Sequence, residues 1–385
     1  MYLYKVHDYG KMIADRRRTD AYAQALRQTI KPGSIVVDIG TGVGIWALLA
    51  CQFGARKVFA IEPNNAIQLA REIAADNGYS DRIEFIQSPS TQLTLPEAAD
   101  VIVSEIHGVL PLFEHSVTSI IDARRRLLAP GGKMIPQQET LWVAVVEAPE
   151  LYSCHQTPWD EDRYGLDLGA VLPMMTNLWF KGRVKPEQLL VDPQCWATLG
   201  YAVMESPDVS GAVTWTIAHA GIGHGFIGWF DTTLTDGVGF SNAPAAPDLI
   251  FNNAFFPWSE PVNLAVGDTV SIALQANLVG ENYIWRWDTC VLDQGLPERV
   301  KASFKQSTFF GETLSPAHLR KLAADYVPSL SEDGEIDQFI LRRVDGKTTL
   351  REIADQVAER FPARFTEWRM ALTRVSELSE KYSRS

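Results

Sequence analysis

The stretch that most restricts the fold is Ile35-Val36-Val37-Asp38-Ile39-Gly40-Thr41-Gly42-Val43-Gly44, which runs into a helical pattern through Phe53. It reads as strand, glycine-rich turn, helix. The same alternation continues. A second strand, Lys57–Ile61, ends at Glu62, and a helix over 65–77 and a strand over 83–86 follow. Asp100-Val101-Ile102-Val103 is a fourth apolar strand. A helix over 115–128 stops at Pro130-Gly131-Gly132, and Lys133-Met134-Ile135-Pro136 resumes the sheet. Strands and helices in alternation predict an α/β fold with a mostly parallel sheet covered on both faces. Ahead of it, Tyr9 to Gln28 reads as one helix with Asp15, Arg16, Arg17, Arg18 and Asp20 on its polar face.

In such a sheet, ligand chemistry lies just past the carboxyl ends of the strands. Gly40, Gly42 and Gly44 let the backbone approach a ligand and leave the helix N-terminus facing it. Glu62, ending the second strand, is placed to accept hydrogen bonds from both ribose hydroxyls of a nucleoside. The fourth strand opens into Ser104-Glu105-Ile106-His107-Gly108-Val109-Leu110-Pro111-Leu112-Phe113-Glu114, with a glutamate near each end of the loop. Paired carboxylates serve acid–base chemistry or grip a planar cation in forked hydrogen bonds. Taken alone, the pair reads equally as solvated loop glutamates.

From about residue 141 the pattern changes. Segments 141–146, 196–204, 212–218, 225–234, 262–266, 268–277 and 282–288 are short, alternating and punctuated by Pro, Gly, Asn and Asp. They read as an antiparallel sandwich or barrel. Between Tyr164 and Val191 lies an exposed-looking apolar set of Leu172, Met174, Met175, Leu178, Trp179 and Phe180, either a loop packed on its own barrel or a dimerisation arm. After Gly311 the composition shifts again, with helices expected over 336–344, 349–361 and 365–381. Of the formal charge of −12, most falls in residues 151–314, with 8 basic against 18 acidic side chains. That field favours the approach of a cation and also serves solubility. The balance argues against a nucleic-acid binder, and no apolar run reaches the length of a membrane span. Four scattered cysteines suggest neither a metal site nor a disulfide framework, which fits a cytoplasmic setting.

Over residues 9–314 the chain resembles the protein arginine methyltransferases, class I S-adenosylmethionine-dependent enzymes. Met12-Ile13-Ala14-Asp15-Arg16-Arg17-Arg18-Thr19-Asp20-Ala21-Tyr22 is similar to the family's M-L-x-D-x-x-R-T-x-x-Y helix, and Val37 to Ile45 to its V-L-D-V-G-x-G-T-G-I. Gly54-Ala55-Arg56-Lys57-Val58 and Glu62 agree, Ser104 to Glu114 resembles the double-glutamate loop, and Tyr164-Gly165-Leu166-Asp167 resembles the opening of the barrel arm. The resemblance implies a Rossmann-like domain over 1–136, a β-barrel domain over 137–314 with an arm near 164–191, a small helical domain over 315–385, and a homodimer. It implies S-adenosylmethionine held by Arg18, Asp38, Gly40, Gly42, Gly44 and Glu62. Thr91 stands where the family has an adenine-contacting glutamate. Met12, Glu105, His107 and Glu114 fall on the substrate side, with Glu105 and Glu114 as the catalytic pair gripping a guanidinium.

The departures gather on that substrate side. The family's Thr-His-Trp barrel loop corresponds to Leu249-Ile250-Phe251, so the histidine that pairs with the helix aspartate, here Asp15, is absent. Trp and Met of the double-glutamate loop are Ile106 and His107. The family's aromatic lid is largely missing, with Tyr2, Tyr4 and Tyr9 nearest to its place. The C-terminal segment is similar to small winged-helix domains of the PqqD type, which bind leader peptides. The resulting expectation is an N-methyltransferase for the guanidino group of arginine, an arginine-like metabolite or a peptide, in specialised biosynthesis. N- or O-methylation of another small molecule and a non-catalytic cofactor-binding scaffold remain open.

Overall fold

The computed structural model describes residues 4–160, 164–296 and 299–383. It divides into two compact units, Met1–Glu312 and Thr313–Ser385. The first opens with α1 (Val6–Ala14) and α2 (Arg16–Thr29). The single helix expected over Tyr9–Gln28 is broken at Asp15, whose ψ of 83° lies outside the helical region. Carbonyls freed at the break find other donors. The Arg18 guanidinium donates to the Met12 carbonyl, and the Thr19 hydroxyl lies 3.2 Å from the Ile13 carbonyl.

The parallel sheet follows, in the sequence β1 (Ile35–Ile39), α3 (Ile45–Gln52), β2 (Lys57–Ile61), α4 (Ala66–Asp76), β3 (Ile83–Ile86), β4 (Ala99–Ser104), α5 (Ser116–Arg126) and β5 (Leu128–Ile135). Its strand order is β3-β2-β1-β4-β5. All five residues of β1 are buried, as a strand covered on both faces requires. The chain direction of crossing reverses between β1 and β4, and the loops leaving these neighbours open the crevice where such sheets bind ligands. Pro130-Gly131-Gly132, expected to stop a helix, lies inside β5, where the β4–β5 register slips. The glycines are accommodated by that irregularity.

The antiparallel part comprises β6 (Gln138–Val146), α6 (Pro149–Asp160), α7 (Leu172–Met175), β7 (Phe180–Gly182), β8 (Gln194–Gly200), β9 (Val209–Thr216), β10 (Gly221–Thr235), β11 (Val238–Ser241), β12 (Asn253–Leu264), β13 (Thr269–Val279), β14 (Asn282–Leu292) and β15 (Val300–Ser307). One sheet has the order β7-β12-β10-β6-β8, with β11 on β10, and the other β15-β14-β13-β9. Strand β12 starts well before the expected 262–266. Pro257 and Pro261 hide it in the sequence, and a slip in its pairing with β10 next to Gly225 absorbs the first of them. Inward residues of both sheets, such as Val143, Phe226, Phe256 and Trp287, belong to the same apolar core as Val37 and Phe59 of the parallel sheet. Leu172, Met174, Met175, Leu178, Trp179 and Phe180 are half-buried rather than exposed. Asn177 and Thr176 accept hydrogen bonds from Ser307 and Gln306, which seats this segment on β15 of its own chain.

The second unit holds α8 (Pro316–Lys321), α9 (Glu332–Leu341), α10 (Leu350–Arg360) and α11 (Trp368–Tyr382). Helix α10 starts with a reciprocal cap: Thr349 Oγ1 accepts from the Glu352 N–H, and the Glu352 carboxylate accepts from the Thr349 N–H. Ile336, Ile340, Ile353, Val357, Val375 and Leu378 form the core of α9, α10 and α11. This unit has no strand among the described residues, so the winged-helix expectation lacks its wing.

Candidate active site

The crevice is built from the turn after β1. Gly40, Gly42 and Gly44 all have φ between 54° and 87°, a left-handed backbone that favours glycine. Space demands it as well. A Cβ on Gly40 would sit 2.6 Å from Ile106 Cγ2, and one on Gly42 would sit 2.8 Å from the Tyr9 ring. Gly44 caps α3. Asp38, wholly buried, ties the turn to that helix: its Oδ2 accepts from Thr41 Oγ1 at 2.5 Å and from the Ala47 N–H at 3.1 Å. Burial pushes its carboxyl up to about 7, the bonds from Thr41 and Ala47 notwithstanding. Its Oδ1 has no hydrogen-bond partner among the described residues.

Glu62 is fixed across the turn. Its Oε2 accepts from the Gly42 N–H at 3.0 Å, and its Oε1 accepts from the Asn64 backbone and side-chain nitrogens, each at 2.9 Å. Asn64 is a support that the sequence reading missed. Of the three tyrosines near the lid position, Tyr9 covers Gly42 and Tyr4 meets Tyr9 edge-on, while Tyr2 lies outside the described residues. Burial, with the Glu62 charge adding to it, pushes the Tyr9 hydroxyl up to about 12. Thr91 is exposed on the single turn Ser90–Gln92 and shares no hydrogen bond with this group among the described residues.

Arg18, buried on α2, forms an ion pair with Glu105 at the start of the loop after β4. Its guanidinium also lies over Trp46, 5.7 Å from the ring centre, and Trp46 stacks on Tyr22. Tyr22 in turn donates to the Ser104 carbonyl at 3.1 Å, anchoring the end of β4. Trp46 carries no signal in the sequence beyond an apolar helix position. Arg18 Nε is buried without a hydrogen-bond partner among the described residues. Contact between Ile106 and Gly40 holds the loop against the glycine turn. Within the loop, Gly108 packs so closely on Phe113 that a Cβ would come within 2.8 Å of its ring. Glu114 has φ of +41°, a left-handed conformation rare for a residue with a side chain. The structure thus brings Met12, through its carbonyl, together with Arg18 and Glu105.

His107 is placed differently from the expectation of a substrate contact. It points away from solvent, with its Nε2 2.7 Å from Glu139 Oε1 in ion-pair contact and its ring edge-on to Phe230 and Phe251. Asp15 finds a substitute for the missing barrel histidine: its Oδ2 accepts from the Ile250 backbone N–H at 3.0 Å, and Lys181 Nζ donates to the Ile250 carbonyl at 3.1 Å.

A glycine cradle that admits no Cβ, a strand-end carboxylate held by backbone donors and a buried cation with an unused nitrogen fit S-adenosylmethionine. Arg18 suits its carboxylate and Glu62 its ribose. Fold and site define a class I S-adenosylmethionine-dependent methyltransferase. Comparison with known proteins narrows this. Residues 17–136 match the model of ribosomal protein L11 methyltransferase (PrmA), and residues 137–283 match the arginine methyltransferase oligomerization subdomain. Protein arginine N-methyltransferase PRMT10 of Arabidopsis thaliana is 30% identical over 313 residues, 71% of this chain and 80% of that protein. Probable protein arginine N-methyltransferase 6 of the same plant is 30% identical over 248 residues, 62% of this chain, and here the chain spans only 55% of the relative's length. The crystal structure of Arabidopsis thaliana protein arginine methyltransferase 10 superposes with a TM-score of 0.70 at 24% identity, covering 79% of this chain and 97% of that one. The Trypanosoma brucei PRMT1 enzyme-prozyme complex gives 0.71 at 22%, covering 79% and 98%. The chain belongs to the protein arginine N-methyltransferase family.

Proposed function

We propose that this protein methylates a guanidino nitrogen of arginine, carried in a peptide or in an arginine-like metabolite, and that it works as a cytoplasmic homodimer. The observation that carries this reading is the position of Glu105. Its carboxylate pairs with Arg18 in the loop at the switch point of the sheet, and the next residue, Ile106, packs on Gly40 of the glycine turn, where a cationic acceptor would face a bound methyl donor. When bound, S-adenosylmethionine supplies an electrophilic sulfonium methyl. Arg18 and Glu62 orient it, and the turn excludes water from one side.

A guanidinium remains protonated near neutrality and is a poor nucleophile. Glu105 and Glu114 draw its positive charge toward two of its nitrogens and leave the third richer in electrons and aimed at the methyl. Positioning and electrostatics thereby supply most of the rate. One of the two carboxylates takes the proton that the nitrogen releases. The altered barrel loop, Leu249-Ile250-Phe251, supports a specialised acceptor rather than general protein tails. The match of residues 137–283 to the oligomerization subdomain supports the dimer.

The test is transfer of labelled methyl to free arginine, to arginine-containing peptides and to the same peptides with lysine in place of arginine. Label recovered as methylarginine is expected. Cofactor binding without label on any guanidino acceptor would overturn the reading.

A further inference from the structure

Beneath the loop after β4 lies a buried polar cluster that the proposed chemistry does not use. Glu139 is wholly buried on β6, in phase with the inward residues Leu141, Val143 and Val145. Its carboxylate contacts His107, accepts from the Tyr201 hydroxyl at 2.5 Å, and accepts from Thr232 Oγ1 at 3.2 Å. These partners come from the loop after β4, from the residue following β8, and from β10. His107 Nδ1 is buried with no hydrogen-bond partner among the described residues. The charged groups that act on His107 are Glu139 from β6, Arg18 from α2 and Glu105 from its own loop, and the Tyr201 hydroxyl bonds the same Glu139 carboxylate. Phe230 and Phe251 close the remaining sides with apolar rings.

Such a pair is a poor device for stability alone, because desolvating two charges offsets most of their attraction and apolar residues would fill the space as well. What it does supply is direction. His107 is two residues from Glu105, so the loop carries two charged ties: Glu105 to Arg18 on the helix side and His107 to Glu139 on the barrel side. We infer that His107 and Glu139 are a positioning pair, which pins this loop to the barrel so that the Glu105 carboxylate stays aimed at the acceptor. This rests on the reading of Glu105 as an acceptor-holding group.

Burial works against the charged imidazole, but the carboxylates of Glu139 and Glu105 outweigh it and raise the His107 pKa. The charged tie therefore weakens as pH rises through that raised value. The experiment compares Glu139→Gln, His107→Met and Glu105→Gln in the full chain. Expected for the first two is a fall in kcat of about ten-fold or more, with cofactor affinity within about two-fold of the parent. The parent's kcat is expected to decline as pH rises through that raised pKa, and His107→Met should lose this decline. Where a variant does not fold, a carbon-13 pH titration of histidine-labelled parent protein decides, with a His107 pKa above that of a free imidazole expected. Parental kcat in both pair variants, or a His107 pKa at or below that of a free imidazole, overturns the inference. Loss of turnover in Glu105→Gln alone would remove the positioning role and keep the acceptor reading, whereas an unaffected Glu105→Gln would sink the acceptor reading itself.

Discussion

Asp15 offers the sharpest test of how the substrate side is held together. It sits at the break between α1 and α2, and its carboxylate takes the backbone N–H of Ile250 from a loop 235 residues away. Asp15→Ala leaves that N–H without its partner. A hydrogen bond to a charged group contributes about 1.5–3 kcal/mol. For a unit ending at Glu312, an unfolding entropy of about 2.1 cal/mol/K per residue makes each kcal/mol worth roughly 1.5 °C in Tm. A loss of about 2–5 °C is expected by calorimetry, and Asp15→Asn, which keeps an acceptor oxygen, should lose about half as much. The tie runs through backbone, so Ile250→Ala should leave it intact. Kinetically, kcat/KM for the acceptor should fall in Asp15→Ala while cofactor affinity holds, because the bond frames the acceptor side. If Asp15→Ala matches the parent in both Tm and kcat/KM, the bond does not organise the site. If cofactor affinity collapses instead, Asp15 acts through α2 and Arg18.

Two further outcomes follow from the cofactor side. Glu62→Ala should weaken binding of S-adenosylmethionine by about 1.5–3 kcal/mol, roughly ten- to a hundred-fold in Kd by titration calorimetry, because it removes the proposed ribose acceptor and the anchor of Gly42 together. Unchanged affinity would show that the strand-end carboxylate does not meet the ribose. Asp38 has a folded pKa of about 7 against an ordinary 3.8, so the protonated form is favoured by folding, and its contribution, present at about pH 4, is lost as pH rises through 7. Asp38→Asn cannot ionise, so its stability relative to the parent should improve between pH 4 and 8 by up to roughly 4 kcal/mol, and denaturation curves that stay parallel across that range would refute the assignment.

The sequence made the parallel sheet legible because each strand is a short apolar run followed by a glycine turn or an acidic end, and these are local signals. Segment 57–61 emerges with its expected bounds, and so does 83–86. The break at Asp15 was not legible, since it depends on Arg18 and Thr19 reaching back to carbonyls of the previous turn. Strand β12 was obscured by its prolines and β15 by its lysines and serines, whose places are set by neighbours far along the chain. At the site, the glycines and Glu62 could be read because backbone geometry dictates them. The partner of His107 could not, although a signal existed. Glu139 falls in phase with Leu141, Val143 and Val145, and a carboxylate on an apolar strand face demands a buried partner. The tie from Asp15 to Ile250 left no trace at all, because a backbone N–H has no side-chain identity.

The strain at Glu114 bears on whether the altered substrate side still turns over. A left-handed residue with a side chain costs about 1–2 kcal/mol, and such strain persists only where surrounding structure enforces it. A scaffold that only binds cofactor has no use for it. Glycine adopts this conformation freely but loses about 0.5–1 kcal/mol of chain entropy. Glu114→Gly should therefore change stability by no more than about 1 kcal/mol, with relief of strain offsetting the lost side-chain contacts. Cofactor affinity should hold, since the groups proposed to hold the cofactor, Arg18 and Glu62, lie on α2 and at the end of β2. Methyl transfer should fall sharply, because the second carboxylate of the grip is gone. Thermal denaturation and the labelled-methyl assay read these effects separately. A variant that loses several kcal/mol of stability yet methylates at the parental rate would make Glu114 a structural residue, and the guanidinium would then be held by Glu105 without it.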